Sequence, residues 1–216
     1  MKIKYPLLIV AGLILASSAG AQIHMLRNYD LARSIASKSG RLIVMDFWAS
    51  WCRPCKDMDV ELWQNPATQK FATYFVGVRI DVEAEENLVK RYRASSIPKV
   101  IIATVNGDII WEQEGYDEAA TYMLVFEDLP SDVTELNKQL QIIAANKNDL
   151  QANYSAGLEF QRLGKVNNNS KLKNSFLKNS EVYLQKAIKL STDSLLTKQI
   201  ELKSLANKEL LNQPDK

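Results

Sequence analysis

Leu42-Ile43-Val44-Met45-Asp46-Phe47 is an apolar, β-branched run of strand length, and a run with so little polar alternation belongs inside a sheet covered on both faces. Before it, Met25, Leu26, Tyr29, Leu31, Ala32 and Ile35 recur near helical spacing and predict a helix that Gly40 stops. After it, Lys56, Asp57, Met58, Glu61 and Leu62 read as a second helix, with Pro54 in its first turn and Pro66 breaking it. Phe71, Phe75 and Val76 lead into a strand through Val78, Ile80 and Val82, with Arg79 expected on an exposed face between apolar neighbours. Glu83 to Arg93 predicts a charged helix that turns Leu88, Val89 and Tyr92 inward. Val100 to Thr104 and Ile109 to Glu112 flank Asn106-Gly107 as an antiparallel hairpin, and Asp117 to Leu129 closes the series as a helix carrying Ala120, Met123, Leu124 and Phe126. The fold class is α/β, a sheet flanked by helices.

Pro130-Ser131-Asp132 marks a change of pattern. Beyond it strands disappear, glycine nearly vanishes, and Lys, Asn, Leu and Gln dominate, so residues 131–216 are expected to form a small all-α region. Asp132 with Glu135 resembles a capping box opening a helix that buries Val133, Leu136, Leu140 and Ile143. Gly157, Phe160, Gly164 and Ala187-Ile188 resemble scattered anchor positions of a tetratricopeptide repeat, although Gly164 to Ala187 is too long by about a dozen residues, with Asn167-Asn168-Asn169-Ser170 expected to fill part of the excess as a loop. One such unit cannot bury a core alone. Two readings stay open: a helical hairpin that covers its own domain or dimerises, and a surface that docks a protein partner. Asn207 to Lys216 is expected to be a frayed tail.

Chemistry concentrates in Trp51-Cys52-Arg53-Pro54-Cys55, which holds both cysteines of the chain. The preceding strand delivers Cys52 to the N-terminus of a helix, where unpaired N–H groups and the helix dipole favour a thiolate. There a thiol pKa falls from about 8.5 into the range of roughly 3.5–7.5. Cys52 is the better nucleophile, and Cys55, one turn on and more buried, is placed to resolve a mixed disulfide. A structural staple would gain little here, because the entropic effect of a disulfide grows with the loop it closes. Four-coordinate zinc needs more ligands than two thiols, and the single histidine, His24, stands far from them in sequence. Met45 and Met58 keep a copper-carrying reading open, but methionines at such spacing are more often core filler.

The run Val44-Met45-Asp46-Phe47-Trp48-Ala49-Ser50-Trp51-Cys52-Arg53-Pro54-Cys55-Lys56 resembles the thioredoxin superfamily. Ile80-Asp81-Val82 looks like the end of its central strand, Tyr92 to Pro98 like the segment before its cis-proline, Asn106-Gly107-Asp108 like its terminal hairpin turn, and Gly115 like the glycine before its last helix. The resemblance spans roughly Ile23 to Leu129. It implies a thioredoxin-like fold with a central mixed sheet, a thiol:disulfide oxidoreductase acting on protein disulfides or thiols, and no cofactor or metal beyond a redox-active Cys52–Cys55 disulfide. It further implies that Asp46 relays the proton of Cys55, that Ile97-Pro98 is cis and presents the Ile97 backbone to substrate, and that Trp51 packs at the rim. Three departures stand out: the lysine that partners the buried acid in typical thioredoxins appears as Gly77, Lys99 replaces a usual threonine, and Arg53-Pro54 replaces Gly-Pro. Arg53 and Lys99 are expected to add positive charge near the thiolate and raise the reduction potential.

Cys55-Lys56-Asp57-Met58 and Trp63-Gln64-Asn65-Pro66 are similar to the periplasmic C-terminal domain of transmembrane thiol-reductant carriers, which implies a reductase fed by a membrane electron donor. A disulfide donor, and a binding or holdase module with an incidental disulfide, are the alternatives. Lys2 and Lys4, the apolar stretch Pro6 to Ala16 and Ala19-Gly20-Ala21 predict a signal peptide over residues 1–21, leaving a periplasmic or secreted protein. That stretch is short against the ~20 residues needed to span a bilayer. Residues 22–130 then form the thioredoxin-like domain and 131–216 the helical region. A net charge of +2, with both signs interspersed, gives no footprint for nucleic acid.

Overall fold

The computed structural model describes residues 23–212; the expected signal peptide over residues 1–21 lies outside them. Strand β1 (Leu42–Trp48) is buried at every position but Trp48, as its apolar run demands. It pairs in parallel with β2 (Phe75–Asp81) and antiparallel with β3 (Lys99–Ala103), which pairs antiparallel with β4 (Ile109–Glu114). The order β2-β1-β3-β4 makes a mixed sheet with β1 and β3 at its centre. The Ile80-Asp81 segment therefore lies on an outer strand of the described sheet, which a parallel bridge from Leu26 to Val78 extends.

That bridge corrects the first predicted helix. Met25 and Leu26 run alongside β2, and α1 begins only at Tyr29 (Tyr29–Ser39), where the Asn28 side chain accepts the Leu31 N–H. Gly40 ends α1 in the left-handed conformation (φ 64°), as its sequence position promised. Helix α2 (Arg53–Met58) continues into a π-helical turn, Asp59–Trp63, before the break at Pro66. Helices α3 (Glu86–Tyr92) and α4 (Ala119–Glu127) complete the sheet's cover, α4 facing inward with Tyr122, Val125 and Phe126 while Leu124 points to solvent. On the α2 and α4 side, Phe126 sits among Trp63, Phe71 and Phe75. On the other, Phe47 packs against Tyr92, whose hydroxyl meets that of Tyr29 at 2.8 Å.

Helices α5 (Thr134–Ala145), α6 (Leu150–Val166), α7 (Ser170–Leu190) and α8 (Ser194–Leu211) follow. The capping box does not form: Val133 is the N-cap of α5, and Asp132 accepts the Thr134 N–H at 2.8 Å in a turn before it. Helices α6 and α7 form an antiparallel pair in which Gly157 faces Leu184 and Gly164 faces Leu177 so closely that a Cβ at either glycine would collide. The extra length between Gly164 and Ala187 is helix, not loop, because α7 runs 21 residues and the connection is only 167–169.

This region covers the sheet's own domain. Asn137 on α5 donates to the Ala36 and Arg41 carbonyls, and Ser175 and Asn179 on α7 both donate to the Ile109 carbonyl at the start of β4. One continuous apolar core runs from the sheet through Val133, Leu136 and Leu140 to Phe160 and Phe176. The edge strand β4 is thereby shielded along its start, which removes a site for unwanted strand pairing.

Candidate functional site

Strand β1 ends at Trp48, and the chain turns through Ala49, Ser50 and Trp51 to place Cys52 as the N-cap of α2 (φ −74°, ψ 105°). The Cys52 Sγ accepts the Cys55 N–H at 3.2 Å, and the two cysteines form a disulfide with their Cα atoms 5.3 Å apart. Pro54 occupies the first turn, where its missing N–H costs no intrahelical bond. Both sulfurs are buried with Ala49 beneath Trp48, Val82 and Ile97. The Ile97–Pro98 bond is cis, and the Pro98 carbonyl accepts the Gly115 N–H at 2.8 Å, which ties β3 to the turn before α4. Trp51 lies at the surface, 65% exposed. The end of the sheet thus gathers Trp51, Cys52, Arg53, Pro54, Cys55, Ile97 and Pro98 around one small disulfide.

The structure gives each of the two expected tuning cations carboxylate partners. Arg53 is exposed and pairs with Asp57 at 3.2 Å, one turn along its own helix. Lys99 is buried and its Nζ sits 3.0 Å from both Glu112 and Glu114. Burial alone would pull its pKa down, but the two carboxylates outweigh that and hold it above its ordinary value. Lys99 stands opposite Phe47 in the register, whereas Asp46 stands opposite Val100, so the lysine is on the other face of the sheet from the acid. Its charge belongs to β4.

Beneath α2 the structure assembles a cluster that the sequence pattern concealed. Asp46 is completely buried, and its Oδ2 lies 3.2 Å from the Nε of Arg79, its direct cross-strand partner on β2. The Arg79 side chain is only 14% exposed, so the exposed face expected for it is wrong. Its NH1 also binds Asp59 on the π turn at 3.0 Å, and its guanidinium lies 4.2 Å from the Trp48 ring centroid. Neither the Arg79 contact nor the nearby Trp63 indole N–H reaches Asp46 with full hydrogen-bond geometry, although both lie close enough to the carboxyl to favour its ionised form. Burial pushes the Asp46 carboxyl up to about 7; the Arg79 charge opposes that rise and the Asp59 charge adds to it.

Among the described residues no group of three or more His, Cys, Asp or Glu side chains is arranged to hold a metal ion. Met45 and Met58 are fully buried in the main core, not in the small cluster around the cysteines. Among the described residues no helix is long and apolar enough to cross a membrane.

A family model described as thioredoxin matches residues 22–125. Thioredoxin-1 of Drosophila yakuba is 36% identical over 77 residues, which make up 36% of this chain and 70% of that relative. This chain belongs to the thioredoxin family. The thiol:disulfide interchange protein DsbD of Cronobacter sakazakii is 25% identical over 116 residues, covering 52% of this chain but 19% of that protein. Among solved structures, the oxidised C-terminal domain of DsbD from Neisseria meningitidis is 21% identical, covers 50% of this chain and 100% of its own, and superposes with a TM-score of 0.43. With its Cys52–Cys55 pair the chain is a thioredoxin-type thiol-disulfide oxidoreductase, and thioredoxins act on the disulfides of protein substrates. The lysine of typical thioredoxins has no counterpart at Gly77, where the Met25 sulfur fills the space of a Cβ. The cation facing Asp46 comes from Arg79 instead, two residues along the same face of β2. A basic residue alternating with Val78 and Ile80 was the available signal, and the neighbours that bury it come from elsewhere in the chain.

Proposed function

We propose that this protein is a reductase of the bacterial cell envelope that passes two electrons from a dithiol donor to disulfides in folded or unfolded proteins. The observation that carries the reading is the Cys52–Cys55 disulfide at a helix N-terminus, with Ile97 packed on it and a buried carboxyl on the strand beneath. In the reduced protein the Cys52 thiolate attacks one sulfur of a substrate disulfide, and the other substrate sulfur leaves as a thiolate. Cys55 gives its proton to Asp46 and attacks Cys52 Sγ, which closes the protein disulfide and releases the second substrate thiolate. An acid held near neutrality suits that transfer, because it can accept a proton and return it to water close to physiological pH. The Ile97 backbone beside the sulfurs offers an extended substrate segment a place to pair as an added strand, and Trp51 and Arg53 form the rim it crosses.

The envelope location is supported by the signal-like pattern of residues 1–21, and the reducing direction and a membrane electron donor by the resemblance of Cys55 to Met58 and Trp63 to Pro66 to the periplasmic domain of transmembrane thiol-reductant carriers. Neither Arg53 nor Lys99 acts as an uncompensated cation beside the thiols, so nothing in their placement favours a strong oxidant. Insulin reduction with dithiothreitol as donor tests the activity. Wild type is expected to accelerate precipitation of the insulin B chain, Cys52→Ser to fall to the uncatalysed rate, and Cys55→Ser to accumulate a mixed disulfide. Equal rates for wild type and Cys52→Ser would leave only a binding module.

A further inference from the structure

We propose that Arg79 is the positioning residue for the proton at Asp46: one guanidinium, shared between the buried acid and Asp59, does the electrostatic work for which this chain has no lysine at position 77. The inference rests on the proposed proton role of Asp46 and names what controls it. Four observations converge on Arg79. It is the direct cross-strand neighbour of Asp46 and contacts it at 3.2 Å. It reaches Asp59 at 3.0 Å and donates a hydrogen bond to it at 3.1 Å. Its plane is pinned beneath Trp48, which itself packs on the disulfide. Two of its nitrogens, Nε and NH2, are buried without hydrogen-bond partners.

The arrangement is lopsided. Arg79 spends its well-formed hydrogen bond on Asp59, the more exposed of the two acids, and meets Asp46 as an ion pair at 3.2 Å with poorer hydrogen-bond geometry. A guanidinium stays charged throughout the physiological range, so Arg79 cannot itself carry the proton. What it can do is set how readily Asp46 holds one: closer approach to Asp46 favours the carboxylate, retreat toward Asp59 favours the protonated acid. Among the described residues, the remaining groups around Asp46 do not offer a second cation. The π turn contributes Asp59 and the Trp63 indole, α4 contributes Tyr122, whose hydroxyl donates to the Gly115 carbonyl, α2 contributes the disulfide, and β3 contributes the apolar Val100 and Ile102. Arg79 is therefore the cation that lies against this acid.

The test follows the Asp46 carboxyl by carbon NMR across pH 4–10 in the oxidised full-length protein, with Asp46→Asn identifying its signal. Arg79→Met keeps an apolar stem under Trp48 but removes the charge, and should raise the Asp46 midpoint by at least one pH unit, a tenfold gain in proton affinity. Arg79→Lys keeps a charge and should recover at least half of that shift. In wild type, which needs no variant to fold, the Arg79 Nε resonance should titrate with the same midpoint as the Asp46 carboxyl. A midpoint unmoved in Arg79→Met, equal shifts in Arg79→Met and Arg79→Lys, or an Nε resonance indifferent to Asp46 would each overturn the proposal. The pH profile of insulin reduction separates this from the reading it rests on. If the carboxyl midpoint moves with Arg79 but the rate profile does not follow, Arg79 governs the acid as proposed, and it is the catalytic role of Asp46 that fails.

Discussion

Beneath the active-site helix, Asp46, Arg79 and Trp63 are buried with polar atoms that make no hydrogen bonds, whereas between α6, α7 and α8 the buried Gln161, Ser180 and Asn207 hydrogen-bond one another. The second network is built on neutral side chains, with Lys165 donating to Gln161 at its edge, and closes on the backbone: Ser180 donates to the Gly157 carbonyl, and Gln161 to the Lys203 carbonyl. Nearby, among the described residues, one oxygen of Glu181 is left without a partner. Satisfied neutral groups specify how helices dock, while a buried charge without full compensation raises the energy of the folded state and is kept where it performs chemistry. The difference divides the molecule into a region built to exchange protons and electrons and a region built to hold β4 and α1 in place.

Neutralising the charged cluster should break the contrast most visibly. Burial holds the Asp46 carboxyl at about 7, up from an ordinary value of 3.8, so the folded protein binds its proton more tightly than the unfolded chain. The folded state then carries the extra proton between roughly pH 4 and 7, stability falls as pH rises through that window, and the loss is complete above it. Asp46→Asn should therefore stabilise the oxidised protein by up to about 4 kcal/mol at pH 8 and flatten its stability between pH 4 and 7. Chemical unfolding at several pH values reads this directly, and a destabilised Asn variant would show that Asp46 is held as a structural carboxylate.

A smaller effect of opposite sign is expected in the tail. Asn207→Ala removes the acceptor of Gln161 and the donor to Ser180, leaving buried groups unpaired at a cost of about 1–3 kcal/mol. Insulin reduction by the folded variant should not change, because the network lies on the helical region and touches none of the groups around the disulfide. A loss of activity without a loss of stability would show instead that the tail takes part in exchange.

Local pattern sufficed where one residue type fixes one local geometry. The burial of β1, the helix stop at Gly40 and the thiol pair at a helix start follow from hydropathy, a positive φ and a missing N–H, each visible within a few residues. The position of Ile97-Pro98 beside the disulfide came from family resemblance, since composition carries no sign of it. What escaped depends on distant partners. Arg79 reads as exposed until β1 supplies Asp46 and the π turn supplies Asp59. Lys99 reads as a cation for the thiols until β4 supplies two glutamates. Asn207 reads as part of a frayed end until α6 and α7 supply Gln161 and Ser180, which bury it completely. Polar residues whose environment is made by another element are the ones that local periodicity misplaces.

The reduction potential of the Cys52–Cys55 pair tests the reductase reading most directly. Equilibration of the purified protein with glutathione redox buffers, reading the ratio of free thiols to disulfide, should place it near the reducing end of the family, about −270 mV. Arg53 is paired with Asp57, and Lys99 with Glu112 and Glu114, so neither stands as an unpaired positive charge beside the Cys52 thiolate. A value near about −120 mV, that of a strong disulfide donor, would contradict the account and reverse the direction of electron flow.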